Sequence, residues 1–79
     1  MKIAILGTGC PKCYKTEEIV RKVVAGLGIT AEIEKVKELK EIMKYNVMMT
    51  PAVAIDGKVV IAGKVPSEEE IKKILEEVQ

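Results

Sequence analysis

Ile3-Ala4-Ile5-Leu6-Gly7-Thr8-Gly9-Cys10-Pro11-Lys12-Cys13 is the stretch whose reading decides the fold. It holds both cysteines of the chain, follows an apolar run and opens a helical pattern. Residues three apart on a helix hold their Cβ atoms about 5–6 Å apart, whereas a disulfide wants them at about 3.5–4.5 Å. A Cys-x-x-Cys pair in a first helical turn therefore closes only if that turn tightens, so the bond forms and stays reducible. Pro11 is expected at the first helical position, where its missing N–H costs nothing and its fixed φ helps start the helix. Cys10 then sits at the helix N-terminus, where unpaired N–H groups and the helix dipole favour a thiolate. Cys13, one turn in, is expected to be more buried and to act as the resolving thiol.

Length and composition exclude several classes. The 79 residues are expected to form one domain, residues 1–79, near the lower size limit for a stable core. Tyr14 and Tyr45 are the only aromatics, Lys+Arg (13) nearly cancel Asp+Glu (12), and no basic block stands out, so nucleic acid is not an expected partner. No apolar run approaches the roughly 18 residues of a membrane span. The N-terminus lacks a signal-peptide pattern, since Cys10 and Lys12 interrupt the apolar stretch, and a cytoplasmic location is expected. In such a compartment a cysteine pair is more often catalytic or metal-binding than structural. A stapling disulfide is the plain alternative, but a four-residue ring contributes only about 2 kcal/mol in the chain-entropy model. Histidine is absent, which removes Cys-His catalysis and all His metal ligands.

Taken in order, Lys2–Leu6 reads as a buried strand. Pro11 to about Ala25 reads as a helix with Ile19, Val20, Val23, Val24 and Leu27 on one face, ended by Gly26 and Gly28. Thr30–Val36 alternates, with Ala31 and Ile33 inward and Glu32 and Glu34 on a wet face. Glu38–Tyr45 is a short helix whose Leu39, Ile42 and Met43 share an apolar face, Met43 being expected in the core. Thr50-Pro51 precedes two apolar runs, Ala52–Ile55 and Lys58–Ala62, joined by Asp56-Gly57, a strong hairpin signal because a type I′ turn needs positive φ at both central positions. Ser67 and Glu70 form a capping box ahead of a last helix with Ile71, Ile74, Leu75 and Val78 on its stripe. The order is β-α-β-α-β-β-α. The opening βαβ unit implies parallel strands with a right-handed crossover, and the whole implies an α/β, four-stranded mixed sheet covered by helices.

A strand, a Cys-x-x-Cys opening a helix, and a later Thr-Pro leading into a hairpin make this chain resemble the small thioredoxin/glutaredoxin-like redox proteins of archaea and some bacteria. The resemblance covers essentially the whole chain and rests on Cys10-Pro11-Lys12-Cys13, Thr50-Pro51 and the Asp56-Gly57 hairpin. It implies a thioredoxin-like fold and a protein-disulfide oxidoreductase without a cofactor. By it, Cys10 is the nucleophile, Cys13 the resolving thiol and Pro51 a cis-proline beside them, which places the Thr50 backbone where an extended substrate segment pairs with it. Gly9, Pro11 and Lys12 border the site. Disulfide-containing proteins are the implied substrates and a thioredoxin-reductase-like enzyme the implied electron donor. Gly9 stands where thioredoxins usually carry Trp, and Ile3-Ala4-Ile5-Leu6 lacks their buried acid, so proton handling at Cys13 falls to water or another group. The glutathione-site signature of glutaredoxins, a Gly-Gly turn and an acid, is replaced by Gly63-Lys64-Val65-Pro66-Ser67, which argues against glutathione as direct reductant.

The implied reaction is thiol–disulfide exchange: the Cys10 thiolate opens a substrate disulfide, and Cys13 then releases the reduced substrate. Lys12 either helps hold negative charge on Cys10 or is simply solvated. Met48 and Met49 either form an adaptable rim for a docking partner or pack. The rival reading is a Cu(I)-carrying module built on the same two thiolates. Small metallochaperones carry Met two residues before the first Cys, where this chain has Thr8, and they end in a strand rather than a helix. Two cysteines without histidine do not close a zinc site in one chain. A nucleotide reading of Gly7-x-Gly9 fails at Lys12, which replaces the third glycine of the fingerprint.

Overall fold

Strand β1 (Lys2–Leu6) is buried on both faces and becomes a central strand because it carries no charge after Lys2. A computed structural model describes residues 1–78, with side chains through Glu77; Gln79 and the expected packing of Val78 lie outside the described residues. The elements follow as α1 (Pro11–Leu27), β2 (Glu32–Val36), α2 (Leu39–Met43), β3 (Ala52–Ile55), β4 (Lys58–Ala62) and α3 (Glu68–Val78). The sheet order is β2-β1-β3-β4. β1 runs parallel to β2 and antiparallel to β3, which forms a hairpin with β4. The expected order and mixed sheet are both present.

Period-two alternation divides the sheet residues into two cores. Ile3, Ile5, Val53, Ile55 and Ile61 meet Val20, Val23 and Val24 of α1 and Ile71 and Leu75 of α3. Ala4, Leu6, Val36, Ala52 and Ala54 face the other way, toward Ile42 and Val47. At β4 the register slips by one residue, with Val53 opposite Ile61 but Ala54 opposite Val59. Val60 and Ile61 thereby both reach the first core while Val59 reaches the second.

Three expectations are corrected. Gly26 lies inside α1, and Gly28 alone ends it, in the left-handed region at φ 66°. There the Gly28 N–H donates to the Ala25 carbonyl and the Ile29 N–H to the Val24 carbonyl, so two orphan carbonyls are satisfied. β2 starts at Glu32 rather than Thr30, because its register begins opposite Lys2, where β1 begins. Its second face is not uniformly wet, since Val36 is buried and Glu34 is half-buried and paired with Lys2 at 2.9 Å. Finally, Met43 is 62% exposed and Leu39 63% exposed. A five-residue helix presents little more than one residue to the sheet, and here that residue is Ile42; Tyr45 and Val47, just past the helix, fill the remaining space.

Hairpin and caps follow the expected chemistry. Asp56 and Gly57 both have positive φ, 49° and 86°. Asp56 also clasps β1: its N–H donates to the Lys2 carbonyl at 2.8 Å and its carboxylate accepts the Lys2 N–H at 2.9 Å. Ser67 and Glu70 exchange reciprocal 3.1 Å hydrogen bonds at the start of α3. Among the described residues no helix is long and apolar enough to cross a membrane.

Candidate active site

The carboxyl ends of β1, β2 and β4 and the amino end of β3 meet at one edge of the sheet, because Leu6 pairs with both Val36 and Ala52, and Ala52 with Ala62. The segments leaving that edge carry the site residues singled out from the sequence: Gly9 and Cys10 in the loop after β1, Pro11, Lys12 and Cys13 in the first turn of α1, and Thr50-Pro51 just before β3. Pro11 opens α1 and Cys10 is its N-cap, with extended backbone (φ −74°, ψ 161°). The cap's sulfur accepts the Cys13 N–H at 3.3 Å, and its carbonyl accepts the N–H groups of Cys13 and Tyr14 at 2.9 and 3.2 Å. The first-turn donors are thus aimed at the Cys10 end, where they stabilise negative charge on sulfur.

Cys10 and Cys13 are joined as a disulfide, with Cα atoms 5.1 Å apart. Cys10 is half-buried and Cys13 buried, the asymmetry expected of an attacking and a resolving thiol. Cys13 is held close from below. A Cβ at Gly7 would come within 2.9 Å of the Cys13 Cβ and onto its sulfur, so only glycine fits there. One turn on, buried Thr16 donates its hydroxyl to the Lys12 carbonyl at 2.9 Å, which fixes the backbone under the motif.

The Thr50-Pro51 peptide is cis. Pro51 is buried and its carbonyl accepts the Gly63 N–H at 3.0 Å, while Thr50 is exposed. Met49 lies over Gly63, whose φ of 77° and missing side chain make room for it. Met48 is 99% exposed and does not pack, whereas Met49 packs over Gly63, so the two methionines, read together from the sequence, behave differently. Lys12 is exposed and makes no ion pair among the described residues.

Sequence reasoning missed the residues behind Cys13. A cavity of about 10 Å³, room for about one water, is walled there by Gly7, Cys13, Tyr14, Glu17, Lys35 and Lys37, among others. Glu17 is ion-paired with Arg21 at 2.8 Å and with Lys35 at 3.4 Å. The Lys35 ammonium stands over the Tyr14 ring, 5.4 Å from its centroid. Partial burial pushes the Glu17 carboxyl up, but the bonds from Arg21 and Lys35 outweigh it and leave it below the usual carboxylate range. The signal available in sequence was the four-residue step from Cys13 to Glu17; the partner from β2 needed the parallel register that sets Lys35 beside Ile5.

No three His, Cys, Asp or Glu side chains gather into a metal-binding group among the described residues. A reducible pair at a helix N-terminus, beside a cis-proline loop at one edge of a mixed sheet, defines a thiol–disulfide oxidoreductase of the thioredoxin fold. Residues 1–76 match the model of a thioredoxin domain family, and the chain belongs to that family. It is 49% identical over 75 residues to a thioredoxin of Methanothermobacter thermautotrophicus, covering 95% of this chain and 97% of that one. It is 55% identical over 73 residues to a thioredoxin of Methanocaldococcus jannaschii, covering 92% of this chain and 84% of that one. A probable thioredoxin of Archaeoglobus fulgidus is 35% identical over 69 residues, 84% of this chain and 75% of that one. The family and the cysteine pair favour disulfide exchange over metal carriage. In general terms they imply disulfide-bearing protein substrates and a reductase partner.

Proposed function

We propose that Cys10 is the attacking thiolate and Cys13 the resolving thiol of a protein-disulfide reductase in which residues 1–79 act as one thioredoxin-like unit. One observation carries this order: Cys10 caps α1 and its sulfur accepts a first-turn N–H, whereas Cys13 is buried against Gly7. Reduced Cys10 attacks one sulfur of a substrate disulfide and expels the other as a thiolate. The resulting Cys10–substrate bond is broken when Cys13 attacks the Cys10 sulfur, which releases the second substrate thiol and leaves Cys10–Cys13 oxidised. The exposed Thr50 backbone, fixed by Pro51 at the same sheet edge, pairs with the substrate segment. Gly9, in place of a bulky residue, keeps that approach open.

A thioredoxin-reductase-like enzyme, rather than glutathione, returns the electrons, and the cytoplasm, where thiols are kept reduced, is the compartment. With insulin as substrate, Cys10→Ser abolishes reduction, and Cys13→Ser performs the first attack only and accumulates a mixed disulfide visible by mass. Retained turnover in Cys10→Ser would refute the order. Met48 extends the apolar approach to the pair: Met48→Ser together with Met49→Ser weakens reduction of insulin more than reduction of a small aromatic disulfide, and equal losses would remove the docking role.

A further inference from the structure

Resolving the mixed disulfide requires a thiolate at Cys13, a buried sulfur whose ionisation burial disfavours. The chain has no histidine, and β1 has no acid after Lys2. What faces the Cys13 side of the motif is the one-water cavity. From α1 it is met by Tyr14 and Glu17, from β2 and the residue after it by Lys35 and Lys37, and from β1 and the loop after it by uncharged Ile5, Gly7 and Gly9; Cys10 is bonded to Cys13 beside it. Of the two lysines, Lys35 is the one whose ammonium pairs with the Glu17 carboxylate, at 3.4 Å. That carboxylate also holds Arg21, at 2.8 Å.

We propose that Lys35 is the counter-charge to the Cys13 thiolate during resolution, acting from the wall of the cavity that it shares with Cys13, Glu17 and Tyr14. The assignment rests on Cys10 attacking first and Cys13 second. Glu17 is poorly suited to be the base. Its two cationic partners keep it ionised, and so held it accepts a proton reluctantly from a thiol whose ordinary pKa is about 8.5. The Cys13 proton leaves to solvent through the cavity water. The thiolate pair attacks the Cys10 sulfur, the Cys10–Cys13 bond forms, the Cys10–substrate bond breaks, and the departing thiolate takes a proton from solvent. The protein dithiol is oxidised by two electrons and the substrate disulfide reduced by two. Lys35 is a positioning residue in this scheme: it acts on the energy of the thiolate and gives up no proton.

Stopped-flow reaction of the reduced protein with 5,5′-dithiobis(2-nitrobenzoate) separates the steps, since attack by Cys10 and then by Cys13 each release one coloured thiolate. In Lys35→Met the first release persists, and the pH midpoint of the second rises by about one unit, the low end of the range for a nearby opposite charge. Near neutrality the thiolate population then falls about tenfold. Greater nucleophilicity of the more basic thiolate returns about threefold, so the second release slows about threefold. Lys35→Arg restores the midpoint. Glu17→Gln, which removes the negative charge, lowers it. An unmoved midpoint in Lys35→Met overturns the proposal, as does a second release slowed by Glu17→Gln, which would make the carboxylate the base. Loss of the first release in Cys13→Ser would instead overturn the order of attack, a failure distinct from an idle Lys35.

Discussion

Gly7 shows how one missing methyl group shapes this site. A side chain there would meet the Cys13 Cβ at 2.9 Å and overlap its sulfur, and it would fill the space behind the pair. Gly7→Ala is expected to cost about 1–3 kcal/mol in the oxidised protein, the usual range for overpacking a filled interior. Denaturant unfolding of the disulfide form measures it, and a midpoint equal to that of the parent would mean that α1 can retreat freely. The local geometry of single residues was legible in sequence: Pro11 opens α1, and Cys10 and Cys13 pair across its first turn, as their spacing suggests. The group around Glu17 was not, because Lys35 lies 18 positions further on and joins Glu17 only through the β1–β2 register. Met48 was legible as an apolar residue beside Thr50-Pro51; its exposure belongs to the folded loop.

Among elements, α3 carries a clear sign of its own. Ser67 and Glu70 close a capping box, and Lys64 adds an ion pair to Glu70 at 2.7 Å. Ser67→Ala is expected to cost about 1 kcal/mol, the typical loss of a cap, as a lower midpoint of thermal or denaturant unfolding. The Lys64 hydrogen bond first, and then that from the Ser67 N–H, hold the Glu70 carboxyl below its ordinary value of about 4.5. A carboxyl whose folded pKa is depressed stabilises the fold fully above its unfolded value and loses that contribution as pH falls through the folded one. Stability should therefore decline on acidification below about 4.5, and Glu70→Gln should flatten the decline; Glu17, also lowered, retains part of it. A Glu70→Gln curve as steep as the parent's would contradict this. Elements with strong local signals were readable: the Pro-initiated α1, the Asp56-Gly57 hairpin and the α3 capping box. α2 was not. Its apolar spacing predicted three inward residues, but five helical residues seat only Ile42, and the chain beyond the helix does the remaining packing.

At the scale of the molecule, one sheet divides two unequal cores. α1 and α3 cover one face together, while α2 and the segment after it cover the other. Leu75 is fully buried in the larger core, and Leu75→Ala is expected to cost about 2–5 kcal/mol. Against a total of about 5–15 kcal/mol for a small domain, that is a large fraction, and the unfolding midpoint measures it. The element order and the mixed sheet were legible because the 79 residues leave few ways to bury the apolar faces of seven elements. The bulge at β4 was not, since nothing local in Lys58–Ala62 marks where pairing slips. The scaffold's purpose is to hold one dithiol in two interconvertible states, and its reduction potential expresses the difference in stability between the oxidised and reduced folds. The most direct test is a redox titration of the Cys10–Cys13 pair in dithiol buffers, read by alkylation and mass. We expect a single reversible two-electron transition, tenfold in equilibrium constant for each 30 mV or so, within the roughly −180 to −270 mV spanned by disulfide isomerase and thioredoxin. A pair that never closes within one chain, or that closes and cannot be reopened by dithiols, would contradict an exchange catalyst.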